Sequence, residues 1–175
     1  MKEYLGLEDG DITTALVCFT DIAGFVRTVR SLSLEQIAAL LRRVSSIISQ
    51  HVGDAPGEVV KYIGDASLLV FPPENLDGTI RRLLSMKREI EIFFESNYPD
   101  LSITFSSHFG EIILVRLEPL AELDILGDTV SRAFLIGSQV QGGNFVISKE
   151  VFERLSAATR GQFRDVDVGM VYTAL

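Results

Sequence analysis

Length, composition and charge already exclude several classes of protein for this chain of 175 residues. A hydrophobic fraction of 47% with 23% charged residues is typical of a globular chain, and we expect residues 1–175 to form a single domain. Sixteen Lys and Arg against 24 Asp and Glu give a net charge of −8, which disfavours a nucleic-acid partner. No apolar run is long enough to span a membrane, so a cytoplasmic location is expected by default.

The first part of the chain predicts a strand, a helix and a hairpin. Residues 15–19 are a continuous apolar run, which is typical of a strand buried on both faces. Ser33, followed three residues later by Gln36, is a capping-box pattern at the start of an amphipathic helix, which we expect to end at Gly53. Residues 59–63 and 67–71 form two short apolar segments around a Gly-Asp pair, the pattern of a β-hairpin.

The second part predicts further elements of both kinds. A helix is expected over residues 78–94, and the alternating residues 101–106 predict a half-buried strand. Residues 111–115 are expected to pair with that strand as a hairpin beyond Gly110. Shorter elements follow: a strand at 123–126, a helix from 128 to about 138, a strand at 145–147, a short helix capped by Ser148 and a strand at 168–173. The order predicts an α+β fold with a ferredoxin-like βαββαβ core.

Two aspartates lie beside glycines at the ends of apolar strands. Asp21 follows the first strand, and Asp65 lies in the predicted hairpin turn, so the two carboxylates are expected to converge at one edge of the sheet. An unpaired carboxylate beside an apolar core is costly unless it finds a cation, and two carboxylates with open space between them suit Mg²⁺. Gly24 would let backbone amides face a phosphate. The alternative is that Asp and Gly are simply common turn residues.

Four segments of the chain resemble, in order and spacing, the class III nucleotidyl cyclase domains. They are FTDIAGF, KYIGDASLLVF and LDILGDTVSRA, with SSHFGEIILV between the second and the third. The resemblance extends from Ala15 to the last strand. It implies the family's α+β ferredoxin-like core with a dimerisation arm, here residues 115–123, and the conversion of ATP to cyclic AMP and pyrophosphate in intracellular signalling.

The resemblance also implies roles for individual residues. Asp21 and Asp65 would be catalytic ligands of two Mg²⁺ or Mn²⁺ ions in each site. Lys61 would read the purine, with Asp124 accepting from the adenine amino group, so ATP is favoured over another purine nucleotide. A Lys donor and an Asp acceptor complement the edge of adenine. The other residues expected to bind substrate are Ile22, Ala23, Gly24 and Phe25.

Two positions in the helix predicted from residue 128 to about 138 depart from the family pattern. The family places an asparagine that orients the ribose where this chain has Ser131, and an arginine that stabilises the transition state where it has Leu135. The two positions share one helix face. The Ser131 hydroxyl is a weak catalytic substitute for the asparagine, whereas Leu135 cannot replace the arginine at all. Arg132 lies about 100° round the helix from Ser131, so it is not expected to take over the role of the arginine. Losing one preorganised charge donor commonly costs ~10²–10³ in rate.

Smaller departures and two histidines complete the comparison with the family. Val26 replaces a frequent threonine. The family's lysine before the last strand is also absent, since residues 162–175 contain no lysine, and Arg164 is followed by Asp165 and Asp167. His108 is expected to be structural and His51 to lie on the surface. Three functions therefore remain open: a slow homodimeric adenylate cyclase, a silent domain that binds ATP and metal for dimerisation or regulation, and a metal-donating subunit that is active beside a complementary cyclase partner.

Overall fold

Strands and helices alternate along the chain. The computed structural model describes residues 6–118, 122–140, 142–166 and 171–174. The strands are β1 (Ile12–Ala23), β2 (Glu58–Ile63), β3 (Ala66–Phe71), β4 (Ser102–Arg116), β5 (Leu123–Leu126), β6 (Phe145–Ser148), β7 (Phe163–Val166) and β8 (Val171–Ala174). The helices are α1 (Phe25–Thr28), α2 (Leu34–Asp54), α3 (Leu76–Asn97), α4 (Asp128–Ser138), α5 (Lys149–Phe152) and α6 (Ala157–Arg160), with a 3₁₀ turn at Val29–Ser31.

One sheet joins all of these strands in the order β2-β3-β1-β4-β6-β8-β7, with β5 paired to β4. β1 is antiparallel to both β3 and β4, and β2 is antiparallel to β3. The first four strands and the helices α2 and α3 thus form the predicted βαββαβ core, with β1 between β3 and β4. The α+β prediction is confirmed.

Helix α2 begins as its sequence predicts. The Ser33 side chain accepts a hydrogen bond from the Gln36 backbone N–H at 3.3 Å, and the Gln36 side chain accepts one from the Ser33 backbone N–H at 2.8 Å. The helix runs one residue past the predicted stop at Gly53 and ends at Asp54. Its buried side chains recur at three- and four-residue spacing, as expected for a helix that packs along one face: Leu40, Val44, Ile47, Ile48, His51 and Val52.

The expectation that His51 lies on the surface is wrong. The side chain is buried on the α3-facing side of α2, and its Nε2 lies 2.9 Å from Oε2 of Glu89 on α3. The buried face of α2 continues into its last turn, where it includes the polar residue His51 as well as apolar ones. A polar residue at this position does not reveal a buried face from the sequence alone. The hydrogen bond with Glu89 supplies a partner for Nε2, whereas Nδ1 is buried without one among the described residues.

The predicted hairpin around Gly110 is also wrong, because β4 is one continuous strand of 15 residues. All twelve residues of β1 are in register with it, from Ile12 opposite Ile113 to Ala23 opposite Ser102. Pairing with this long central neighbour holds Gly110 extended, opposite Ala15. The strand that pairs with residues 113–116 is instead β5.

Gly110 has a packing role instead of a turn role. A β-carbon at this position would lie 2.6 Å from Oγ1 of Thr129, a buried residue in the first turn of α4. The Thr129 hydroxyl donates a 2.6 Å hydrogen bond to the carbonyl oxygen of Glu111. The missing side chain therefore lets α4 approach β4 closely enough for this bond to form.

The two faces of the sheet are covered differently. Helices α2 and α3 pack over one face, where the larger cluster of buried side chains includes Phe71, Phe94 and Phe105. A smaller cluster, which includes Val17 from β1, Leu68 from β3 and Ala133 from α4, lies on the other face. Large apolar side chains are left exposed on α4 and near it, among them Phe134 and Leu135.

The remaining elements follow the predictions closely. Helix α4 has the predicted bounds, and Ser148 caps α5 by accepting a hydrogen bond from the Val151 backbone N–H. Strand β7 was not predicted, because its four residues carry too short a pattern. Residues 168–170 of the predicted last strand and 119–121 of the arm lie outside the described residues. Within the described part of the chain, none of the helices has the length and apolar character needed to cross a membrane.

Replacing Gly110 with Ala should destabilise the protein by about 1–3 kcal/mol, because the added methyl group would displace the Thr129 hydroxyl or push α4 away from β4. The matched control is Gly53→Ala in α2, where the new β-carbon meets nothing within 4 Å. That change should raise the free energy of unfolding by up to about 1 kcal/mol. Urea denaturation measures both; equal effects would contradict the packing role of Gly110.

Candidate functional site

The structure brings the carboxylates of Asp21 and Asp65 together. Asp21 belongs to the last part of β1, opposite Thr104 of β4, and Asp65 lies in the two-residue turn between β2 and β3. The Ile22 backbone N–H donates a hydrogen bond to the Asp65 carboxylate. Both aspartates line one open groove of about 730 Å³ at this edge of the sheet. The sheet order explains the convergence, because β3, which follows the turn, pairs directly with β1.

The electrostatics of this pair are those of carboxylates without a counterion. Burial raises the pKa of Asp21 above its ordinary range. Burial raises the pKa of Asp65 too, and the nearby charge of Asp21 adds to that increase, while hydrogen bonds from the backbone amides of Asp65 and Ile22 partly oppose it. Among the described residues, neither aspartate forms a salt bridge. A bound cation would remove the repulsion between them.

A buried hydroxyl pair ties the two aspartate-bearing segments together. The hydroxyls of Thr20 and Ser67 are hydrogen-bonded at 2.6 Å, and both residues are about 1% exposed. Thr20 directly precedes Asp21 and is paired across the sheet with Ser67, two residues after Asp65. Sequence reasoning missed this contact. The register of β1 against β3 is the signal that would have found it.

The donor set fits a divalent ion that also binds a ligand. No group of three or more His, Cys, Asp or Glu side chains suited to a metal occurs within the described ranges. Asp21 and Asp65 therefore supply two carboxylates and no more. Mg²⁺ is commonly held in this way, by one or two carboxylates with waters and substrate phosphates completing its shell.

The segment after Asp21 forms a wall of the same groove. Ile22, Ala23, Gly24 and Phe25 all line it, as do Arg27 and Arg30 further along. Gly24 has a φ of 88°. A β-carbon there would lie 2.8 Å from the carbonyl oxygen of Asp100, so glycine is required for the turn from β1 into α1. The two arginines were not predicted as site residues.

Lys61 and Asp124 contact each other, but they lie outside the groove that contains Asp21 and Asp65 of the same chain. Lys61 Nζ donates to Asp124 Oδ2 at 2.5 Å, which joins β2 to β5. The other carboxylate oxygen of Asp124 accepts from the Ile125 backbone N–H at 2.9 Å. Neither residue lines the groove that contains Asp21 and Asp65. The structure thus contains two separate groups of predicted site residues.

Helix α4 presents Ser131 and Leu135 to solvent. Both residues are exposed, Leu135 by 51%, so neither belongs to the core. Arg132 is directed elsewhere: its Nε donates to Asp128 Oδ2 at 2.6 Å, and its Nη1 lies 4.0 Å from Oε1 of Glu150. These contacts agree with the expectation that Arg132 does not replace the missing arginine.

The remaining predicted positions have surface or structural settings. His108 is buried, with its Nδ1 2.8 Å from the Ser148 hydroxyl that caps α5, and burial lowers the pKa of His108 below its ordinary range. A buried, hydrogen-bonded setting of this kind agrees with a structural role. Val26 is 69% exposed at the groove, and Arg164 is exposed on β7, outside the groove.

Comparison with known proteins assigns the family. The sequence pattern of the adenylate and guanylate cyclase catalytic domain matches residues 8–173. The chain belongs to this family of class III cyclase domains. An adenylate cyclase of Anabaena cylindrica is 23% identical over 163 residues, which are 86% of this chain and 32% of that protein. This chain therefore spans about a third of that relative.

Solved structures agree on the fold. The adenylyl cyclase CyaB from P. aeruginosa has a TM-score of 0.82 to this chain at 16% identity, covering 96% of each chain. The guanylate cyclase domain of RhGC from Catenaria anguillulae, in complex with GTP, has a TM-score of 0.80 at 19% identity, covering 94% of this chain and 98% of that one. The fold is that of a class III cyclase domain.

Proposed function

We propose that this domain binds ATP with divalent metal ions at Asp21 and Asp65 and converts it slowly to cyclic AMP and pyrophosphate. The observation that carries the proposal is the convergence of two carboxylates without a counterion in one open groove. The family membership and the GTP complex of a similar structure support a nucleoside triphosphate as the ligand. On a chain of net charge −8, a polyphosphate would be repelled without metal.

The reaction exchanges one bond at the α-phosphorus for another. The ribose 3′ oxygen forms a bond to the α-phosphorus, the bond from that phosphorus to the bridging oxygen breaks, and pyrophosphate leaves while the hydroxyl proton passes to solvent. Metal ions held by Asp21 and Asp65 would lower the pKa of the 3′-hydroxyl and neutralise the phosphates. The Thr20–Ser67 hydrogen bond joins the two segments that carry the carboxylates, and it would help to preorganise the site.

The base is proposed to be adenine, read by Lys61 and Asp124. The 2.5 Å contact between them keeps a cationic donor and an anionic acceptor side by side. Adenine offers an acceptor nitrogen beside an amino group, so both side chains can bond to its edge at once. GTP is the competing substrate, and it would present a carbonyl oxygen to Asp124, which accepts but cannot donate when ionised.

The complete site is proposed to need a second subunit. Lys61 and Asp124 do not line the groove of Asp21 and Asp65 in one chain, which supports a nucleotide that bridges two chains. A two-fold homodimer would form two such sites. A heterodimer with a complementary cyclase domain is the second possibility, since such a partner could supply the asparagine and arginine absent here.

The proposed activity is weak because one group needed in the transition state is absent. Leu135 cannot stabilise charge on the transferring phosphoryl group, and Ser131 offers only a hydroxyl for the ribose. Ground-state binding depends on Asp21 and Asp65, so the defect should lower turnover more than ATP affinity. A silent domain that binds ATP and metal for regulation is the alternative function, and Leu135 is the residue that favours it.

Restoring the family residues on α4 should raise turnover. Leu135→Arg is expected to increase the rate of cyclic AMP formation by roughly 10²-fold, because it adds a charge donor to the transition state. Ser131→Asn should add a smaller gain, coupled to the first because both side chains contact one substrate. Leu135 is 51% exposed, so the arginine should not disturb the core. The measurement is cyclic AMP formed from ATP and Mn²⁺.

Two variants control this experiment. Leu135→Gln removes the exposed leucine without adding charge and should stay as slow as the wild type. Asp21→Asn in the Leu135→Arg background should abolish the gain. A fast wild type would show that the transition-state charge comes from elsewhere, and a folded double variant that binds ATP but remains silent would favour the regulatory function.

The chain should sediment as a dimer at micromolar concentration rather than as a 19.3 kDa monomer. Leu117, in the proposed dimerisation arm, is 48% exposed and apolar, which is typical of an interface residue. Leu117→Glu should shift the equilibrium towards monomer. Ile92 on α3 is the matched control, because it is also 48% exposed but lies in a different element, and Ile92→Glu should leave the dimer intact. A monomeric wild type would contradict the homodimeric site.

A further inference from the structure

We propose that the side chains of Arg27 and Arg30 bind the terminal phosphates of the nucleotide held at Asp21 and Asp65. This inference rests on the proposed function and adds two binding residues to it. The pair would hold the pyrophosphate portion of the substrate, and the same portion as it leaves. Neither residue was singled out by its sequence, because isolated arginines on a short helix resemble ordinary surface charges.

The position of the two arginines is the first observation. Both line the groove that contains Asp21 and Asp65. Arg27 belongs to α1 and Arg30 to the 3₁₀ turn that follows directly, so they are three positions apart on one continuous helical segment. This spacing puts both side chains on the same side of the segment. The groove therefore has a carboxylate pair and a guanidinium pair along its walls.

The lack of partners is the second observation. Neither Arg27 nor Arg30 forms a hydrogen bond through its guanidinium, or a salt bridge, anywhere in residues 6–118, 122–140, 142–166 and 171–174. The same regions pair Arg43, Arg82, Arg88 and Arg132 with carboxylates. Arg42 and Arg164 also form no salt bridge among the described residues, but only Arg27 and Arg30 combine this property with a place in the groove of Asp21 and Asp65, where their guanidinium groups remain available for an anion.

The separation of charges within the groove indicates which anion that is. Asp21 and Asp65 are not within salt-bridge distance of the arginines, so the carboxylates remain free for cations while the guanidinium groups remain free for oxyanions. A polyphosphate with bound metal presents both kinds of charge in one ligand. The planar guanidinium fork matches two phosphate oxygens at once. A ligand with only carboxylate groups and no bound metal would be repelled by Asp21 and Asp65.

Arg27 and Arg30 are exposed, so each phosphate contact is expected to contribute only modestly to the affinity for the nucleotide. Each substitution by Ala should weaken binding of Mn²⁺–ATP and Mn²⁺–pyrophosphate by about three- to tenfold, and the double substitution by more. Binding of AMP, which has no β- or γ-phosphate, should not change. Arg27→Lys with Arg30→Lys keeps the charges but loses the fork, so it should recover part of the affinity.

Calorimetric titration of the full chain with each of these three ligands, in excess Mn²⁺, tests the proposal. Arg88→Ala is the control for net charge, since it removes one exposed arginine from α3, and it should bind like the wild type. Arg164→Ala tests the alternative that the terminal phosphates are bound by Arg164, an exposed arginine on β7 outside the groove. Thermal melts confirm that each variant is folded.

The outcomes separate this inference from the function on which it rests. If the double Ala variant binds Mn²⁺–pyrophosphate as tightly as the wild type does, the arginines do not hold the terminal phosphates. A loss seen only with Arg164→Ala would transfer that role to Arg164 and overturn the inference, although metal-dependent ATP binding would stand. If the wild type binds neither ATP nor pyrophosphate with Mn²⁺, both proposals fail together. An equal loss for AMP would indicate a general disturbance of the groove and would also contradict the proposal.

Discussion

Two carboxylates that have no counterion among the described residues set the main constraint on this structure. Burial raises the pKa of both Asp21 and Asp65, and the charge of Asp21 raises that of Asp65 further. Holding them there costs free energy in the absence of a cation. The surrounding fold accepts this cost, since β1 is paired along its whole length and the hydroxyls of Thr20 and Ser67 join the two segments behind the acidic groups. A bound cation, as proposed above, would remove the repulsion between the two carboxylates and offset this cost.

The remaining features of the groove complement that acidic pair. Gly24 turns the chain sharply after β1, which leaves α1 and the following 3₁₀ turn along the wall of the groove. Arg27 and Arg30 are thereby placed beside the carboxylates without neutralising them. Lys61 and Asp124 form a separate pair on β2 and β5, and the proposed second subunit would bring them to the nucleotide. Each group of charges therefore has a different proposed partner: metal, phosphate or base.

Much of the fold could be predicted from local sequence, because local interactions determine it. The capping box at Ser33, the bounds of α4 and the Gly-Asp turn all depend on residues near each other in the chain. The packing role of Gly110 does not follow from local sequence, because it depends on Thr129, which is distant in the chain. His51 was misplaced for a similar reason, since its partner Glu89 belongs to another helix. The positions of Asp21 and Asp65 could be predicted from the ends of strands, whereas the groove-lining arginines and the Thr20–Ser67 bond required the three-dimensional structure.

The most direct test of the account is a calorimetric titration with ATP in the presence of Mn²⁺ and again in EDTA. We expect binding with metal and none, or far weaker binding, without it, because the chain carries a net charge of −8. The double variant Asp21→Asn with Asp65→Asn separates metal-dependent binding from general charge attraction. If ATP bound only through the net charge of the chain, removing two negative charges would strengthen its binding. The account predicts the opposite, a loss of metal-dependent binding in a variant that remains folded. Equal affinity in EDTA, or unchanged affinity in the double variant, would contradict it.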